Sequence, residues 1–91
     1  MKVHSAKLHD LKCTPEMFAA LRSGLKTFEY RLNDRDYCAD DQLKIREWDA
    51  LRQEYTGHIN YYEVTYVVYG PDFGIPENYV IMSVVPLGGS Q

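Results

Sequence analysis

The alternation of apolar and polar positions changes period several times along this chain, and each change marks an element. Residues 2–9, KVHSAKLH, carry a loose alternation with Val3, Ala6 and Leu8 as apolar members, which predicts a short first strand. At Thr14-Pro15-Glu16 the helix-start signals agree. Thr14 suits an N-cap, Pro15 a first helical position where its missing N–H costs nothing, and Glu16 the positive end of the helix dipole. Met17, Phe18 and Leu21 then recur at helical spacing and Gly24 supplies a stop, so a short helix should lay those three side chains on a sheet.

After Gly24 the period drops to two. Across residues 26–32, Phe28, Tyr30 and Leu32 fall on one side of a strand and Thr27, Glu29 and Arg31 on the other. Asn33-Asp34-Arg35-Asp36 and Asp40-Asp41 read as turns. In the next predicted strand, residues 42–48, Leu43 and Ile45 share one face while Lys44, Arg46 and Trp48 share the opposite one. Tyr55-Thr56-Gly57 reads as a turn before a long strand over 59–69, broken by Gly70-Pro71-Asp72. Residues 79–85 are nearly all apolar, the pattern of an interior strand. One early helix and five to six strands predict an α+β domain, most simply a small, partly open barrel with the helix over one end.

At 91 residues the chain is one domain over 1–91, with 88–91 as a flexible tail. No run approaches the length of a membrane span and no secretory leader pattern opens the chain, so a cytoplasmic protein without a membrane role is expected. Cys13 and Cys38 form no CxxC pair, and His4, His9 and His58 have no metal-ligand spacing; two structural thiols and no metal or cofactor are expected. His9 and Lys12 read as ordinary polar residues at a strand exit, or as a basic rim. Charge is uneven: residues 1–46 hold nine Lys and Arg against seven Asp and Glu, a balance of +2, whereas residues 47–91 hold one against six, a balance of −5. That asymmetry leaves room for a local basic surface from the first half.

The densest chemistry lies in Gly24–Tyr37, GLKTFEYRLNDRDY. On a strand, Glu29 and Arg31 point the same way, and a bend after Gly24 can turn the Lys26 amine toward them. Pattern alone leaves open a solvated ion pair, a turn of ordinary composition at Asn33, Asp34 and Arg35, and a core role for Trp48 rather than base stacking with Arg46.

The same residues carry a resemblance. GLKTFEYRLNDRDY after the TPEMFAALRSG helix, preceded by LHDLK and followed by LKIREWD, YTG and YVIMSV, resembles the ASCH (activating signal cointegrator homology) domains of the PUA-like superfamily, in a short branch found in bacteria and their phages. The likeness runs from about His9 to Val85. It implies a PUA-like pseudo-barrel with a cleft at one end that binds RNA or acts on nucleotides; the expected partner is RNA, single-stranded rather than duplex, or a nucleotide. It carries Lys26, Thr27, Glu29 and Arg31 over as site residues, with Asn33, Asp34 and Arg35 as the adjoining turn; in an RNA-binding reading, Trp48 or a tyrosine is the expected group to stack a base. One ASCH branch hydrolyses acetylated cytidine with a lysine, a threonine three residues on and a distant glutamate; Lys26 matches the lysine, but Glu29 stands in the threonine's place. Others cleave single-stranded RNA, which would cast Lys26 and Glu29 as catalytic groups. The acidic second half and its tyrosines leave a host protein partner as a further alternative.

Overall fold

The computed structural model describes residues 5–88, so His4, the start of the predicted first strand and the end of the predicted tail lie outside the described residues. Five strands form one sheet: β1 (Leu8–Cys13), β2 (Phe28–Leu32), β3 (Gln42–Asp49), β4 (Glu54–Tyr69) and β5 (Tyr79–Pro86), with helix α1 (Pro15–Ser23) after β1 and a short 3-10 turn at Asp72–Gly74. The spatial order is β1-β3-β4-β5-β2, with β1 and β3 parallel and the other neighbours antiparallel. The last strand is interior, lying between β4 and β2, as its apolar run predicts.

Strand β4 organises the curl. Its residues 54–63 pair with β3 while 62–69 pair with β5, and the register shifts once in each ladder, between Arg46 and Trp48 and between Val64 and Tyr66. Such irregularities bend a strand and increase its twist, so a long strand shared in this staggered way rolls the sheet into a half-barrel. The two edge strands, β1 and β2, then flank an open seam.

Helix α1 connects those edges. Thr14 Oγ1 accepts from the Met17 amide at 3.2 Å, and Gly24 closes the helix in the left-handed region at φ 86° with its N–H on Leu21 O, a conformation that a side chain would strain. Phe18 and Leu21 are buried with Leu11, Leu43, Ile45 and Val84, whereas Met17, expected on the same face, is half exposed. Met17 instead lines the seam beside the helix.

Two predicted boundaries move. Among the described residues the first strand runs from Leu8 to Cys13, leaving out residues 5–7 of the predicted segment and passing its predicted end at His9, because His9, Leu11 and Cys13 face inward against β3 in a register that sets Leu8 opposite Gln42. The turn expected at Tyr55–Gly57 lies earlier, at 50–53. Asp49 Oδ1 accepts from the amides of Leu51 and Arg52, and Gln53 takes φ 56°, so an aspartate-led turn reverses the chain and Tyr55 to Gly57 join β4.

A candidate anion-binding cleft at the open seam

Strand parity in β2 is as the sequence implies, but its orientation is unusual. Phe28, Tyr30 and Leu32 face outward, each about half exposed, while Glu29 points into the half-barrel at 3% exposure. Burying a carboxylate is costly unless it is paired and hydrogen-bonded. Here both oxygens are held by cations: Lys26 Nζ donates to Oε2 at 2.6 Å and Arg31 Nε donates to Oε1 at 2.8 Å.

Lys26 reaches this position because the chain leaves α1 with its amide on Ala20 O, then bends so that Nζ also donates to Phe28 O at 2.7 Å. Arg31 crosses the seam, donating from a terminal nitrogen to Lys12 O of β1 at 3.2 Å. The cluster therefore ties one edge strand to the other. It carries a net positive charge, and the ammonium and guanidinium both keep N–H donors beyond those used on Glu29 and the backbone.

These groups line a cavity of about 460 Å³ with Lys12, Cys13, Thr14, Met17, Phe28 and Tyr30. That volume lies within the usual range of small-ligand sites, and the mixture of apolar walls with a few convergent polar groups is their usual chemistry. Cys13 projects inward beside the cluster. Burial, with the Glu29 charge adding to it and Arg31 and Lys26 opposing it, pushes its thiol up to about 11. It is a protonated, unreactive thiol at neutral pH.

Of the residues singled out from sequence, Lys26, Glu29 and Arg31 converge. Thr27 does not join them: it precedes β2, is exposed, and its carbonyl accepts from the Val84 amide. Asn33 is spent on the following loop, its Oδ1 accepting from the Tyr37 amide at 2.9 Å. Asp34 and Arg35 are exposed, with their nearest charged atoms 3.9 Å apart. Arg46 and Trp48 lie on the outward face of β3. There Arg46 donates to Asp10 at 3.0 Å and sits over the Tyr55 ring, and Lys12 Nζ lies 4.1 Å from the Trp48 ring centre. Lys12 thus joins the two places, with its carbonyl on the seam and its ammonium on the outer face.

Sequence reasoning missed the β1 and α1 wall of the cleft, since nothing local shows that β1 and β2 become facing edges. It also missed a second buried carboxylate. Asp41, read as a turn residue, is fully buried; Oδ2 accepts from His9 Nε2 at 2.8 Å and from the Cys38 amide at 3.0 Å, and Oδ1 accepts from the Lys7 amide at 3.0 Å. His9, read as a polar residue at a strand exit, is consequently a core residue packed edge-on against Tyr37.

Among the described residues no three histidine, cysteine or acidic side chains gather as a metal site would require, and no helix is long and apolar enough to cross a membrane. None of the curated proteins matches the chain in sequence. Residues 8–84, from the start of β1 into β5, match the family model described as a domain of unknown function, DUF3850, and the chain belongs to that family.

Proposed function

We propose that the seam cleft binds the phosphate and base of a nucleotide or of single-stranded RNA, in the manner of a PUA-like ASCH module. The observation that carries this reading is the buried Glu29 carboxylate clamped between Lys26 and Arg31 on the wall of a nucleotide-sized cavity. Glu29 fixes two cations in place, and their remaining donors serve a phosphate, to which arginine can present paired N–H groups. An unpaired base can enter a recess of this size, whereas a stacked duplex cannot, which favours single strands. A strand leaving the cleft over β1 would meet Lys12, Trp48 and Tyr55, where cation and ring faces suit a neighbouring base.

The arrangement favours binding over turnover. A general base needs a free oxygen within reach of the proton it takes, and both Glu29 oxygens are engaged by cations. The Cys13 thiol, held up to about 11, is no substitute nucleophile.

Fluorescence anisotropy with labelled short single-stranded RNAs, and competition by nucleoside monophosphates, tests the reading. Binding should weaken as salt rises, and Arg31→Ala should weaken it about tenfold, the equivalent of about 1.4 kcal/mol. Absence of binding to every RNA and nucleotide at low salt would overturn it, as would RNA hydrolysis that disappears in Glu29→Gln.

A further inference from the structure

The outward side of the sheet divides into two unlike halves. Over β1 and β3 it carries Asp10, Lys12, Lys44 and Arg46. Over β2, β5 and β4 it is apolar and aromatic. In register across that half lie Tyr30, Ile81 and Val68, then Leu32 beside Tyr79, with Tyr66 opposite Ser83. Tyr30 and Tyr79 stack at 5.3 Å between ring centres, and Tyr66 is 67% exposed. No charged side chain falls among these positions; Glu63 on β4 and Asp34 and Arg35 in the turn after β2 stand at its margin. An apolar centre with a charged rim is the anatomy of a protein interface.

We infer that this face is where two copies of the chain pack, sheet against sheet about a twofold axis. A twofold contact sets the same patch against itself, so any charge in its centre would meet its like. The chain carries a net charge of −3, and its second half is strongly acidic. The charge-free half of the sheet is the surface that can meet its own image without repulsion.

Tyr30, Leu32 and Tyr66 are 48%, 47% and 67% exposed, and Phe28, 45% exposed, adjoins them where the patch meets the rim of the cleft that it and Tyr30 also line. With aromatic side chains at 150–250 Å² each and smaller contributions from Tyr79 and Ile81, these residues present roughly 400–550 Å² per copy. Two copies would bury about 800–1,100 Å², the size of a weak, transient interface. A reversible dimer is expected, in an aligned sandwich with the sheets about 10 Å apart.

Sedimentation velocity on the full chain from about 1 to 500 µM tests this. A monomer–dimer equilibrium is expected that salt leaves intact, unlike RNA binding. Tyr66→Lys and Leu32→Lys should each weaken it at least tenfold, and Leu51→Lys, on the exposed turn before β4, should not change it. Circular dichroism verifies that the variants are folded. For the unmodified chain, the Ile81 and Val68 methyl resonances should shift with concentration along the same isotherm. Monomer throughout, open-ended aggregation, methyl shifts confined to other residues, or a dimer indifferent to both lysine substitutions would each overturn the inference.

Discussion

Glu29 and Asp41 are both buried carboxylates, and the difference between them lies in who holds them. Asp41 is held by the backbone amides of Lys7 and Cys38 and by the His9 ring. A backbone N–H has one proton to give, so those donors are used up within the fold. Glu29 is held by an ammonium and a guanidinium at the rim of a cavity. Each has further protons to offer, so satisfying Glu29 leaves binding capacity behind. The first carboxylate fastens β1 to the loop before β3; the second holds two cations with unused donors at an open seam.

Replacing each carboxylate by its amide breaks the comparison open. Asp41→Asn sets an amide N–H against the Cys38 N–H and removes the anion facing His9, in a position with no access to water. A loss of about 3 kcal/mol in urea unfolding is expected, from buried donors left without an acceptor, with RNA affinity of the folded protein unchanged. A loss below ~1 kcal/mol would show that Asp41 is no anchor. Glu29→Gln keeps one acceptor oxygen and so holds one cation at a time. It should cost about 2 kcal/mol, because Lys26 and Arg31 retain some solvent contact, and should weaken RNA binding about tenfold. Unchanged binding would detach Glu29 from the site.

How far these two residues were legible follows from where their partners are. Glu29 and Arg31 are two apart on a strand and Lys26 three from Glu29, so a local pattern contains the cluster. Helix α1 was legible for the same reason, with Thr14, Pro15 and Gly24 acting within one turn of each end. Asp41 takes its partners from residues 7, 9 and 38, and a turn-like Asp40-Asp41 conceals that. The parity of β2 could be read, but which side faces in depends on β5 as neighbour and on the seam with β1, neither of which a local period encodes. The early boundary of β4 was missed because Gly57 resembles a turn residue, while Asp49, which caps the real turn, lies in a strand pattern.

Alkaline pH sharpens the comparison from a different direction, because the Glu29 charge reaches the neighbouring core. Cys13 is pushed up to about 11 from an ordinary value of 9.0, by burial first and by Glu29 next. Below pH 9 the thiol is protonated both folded and unfolded, so it adds nothing to the pH dependence. Between pH 9 and 11 the unfolded chain loses the proton and the folded chain keeps it, so stability falls as pH rises. Urea unfolding at pH 8 and pH 10.5 should differ by about 2 kcal/mol from this group alone. Cys13→Ala, though less stable at both values, should remove that portion of the slope. A slope identical in the variant would assign the alkaline loss to Tyr37, Tyr62 and Tyr69, whose hydroxyls burial also pushes up.

The smallest expected effect is at the turn beyond β2, and it decides how far the site extends. Arg35 lies 3.9 Å from Asp34 with both side chains open to water, a contact worth less than about 0.5 kcal/mol. Arg35→Ala should therefore leave unfolding unchanged. Its effect on RNA is diagnostic in a way that of Arg31→Ala is not, since Arg35 holds no other part of the site together. If ligand occupies the cleft alone, Arg35→Ala shifts affinity less than twofold and leaves the salt dependence as it was. If the RNA continues over the turn, the variant loses one phosphate contact, and the slope of log K against log salt falls by about 0.7. Anisotropy titrations at three salt concentrations separate these outcomes. The compact cleft requires the first, because every cation bonded to Glu29 belongs to residues 26–31.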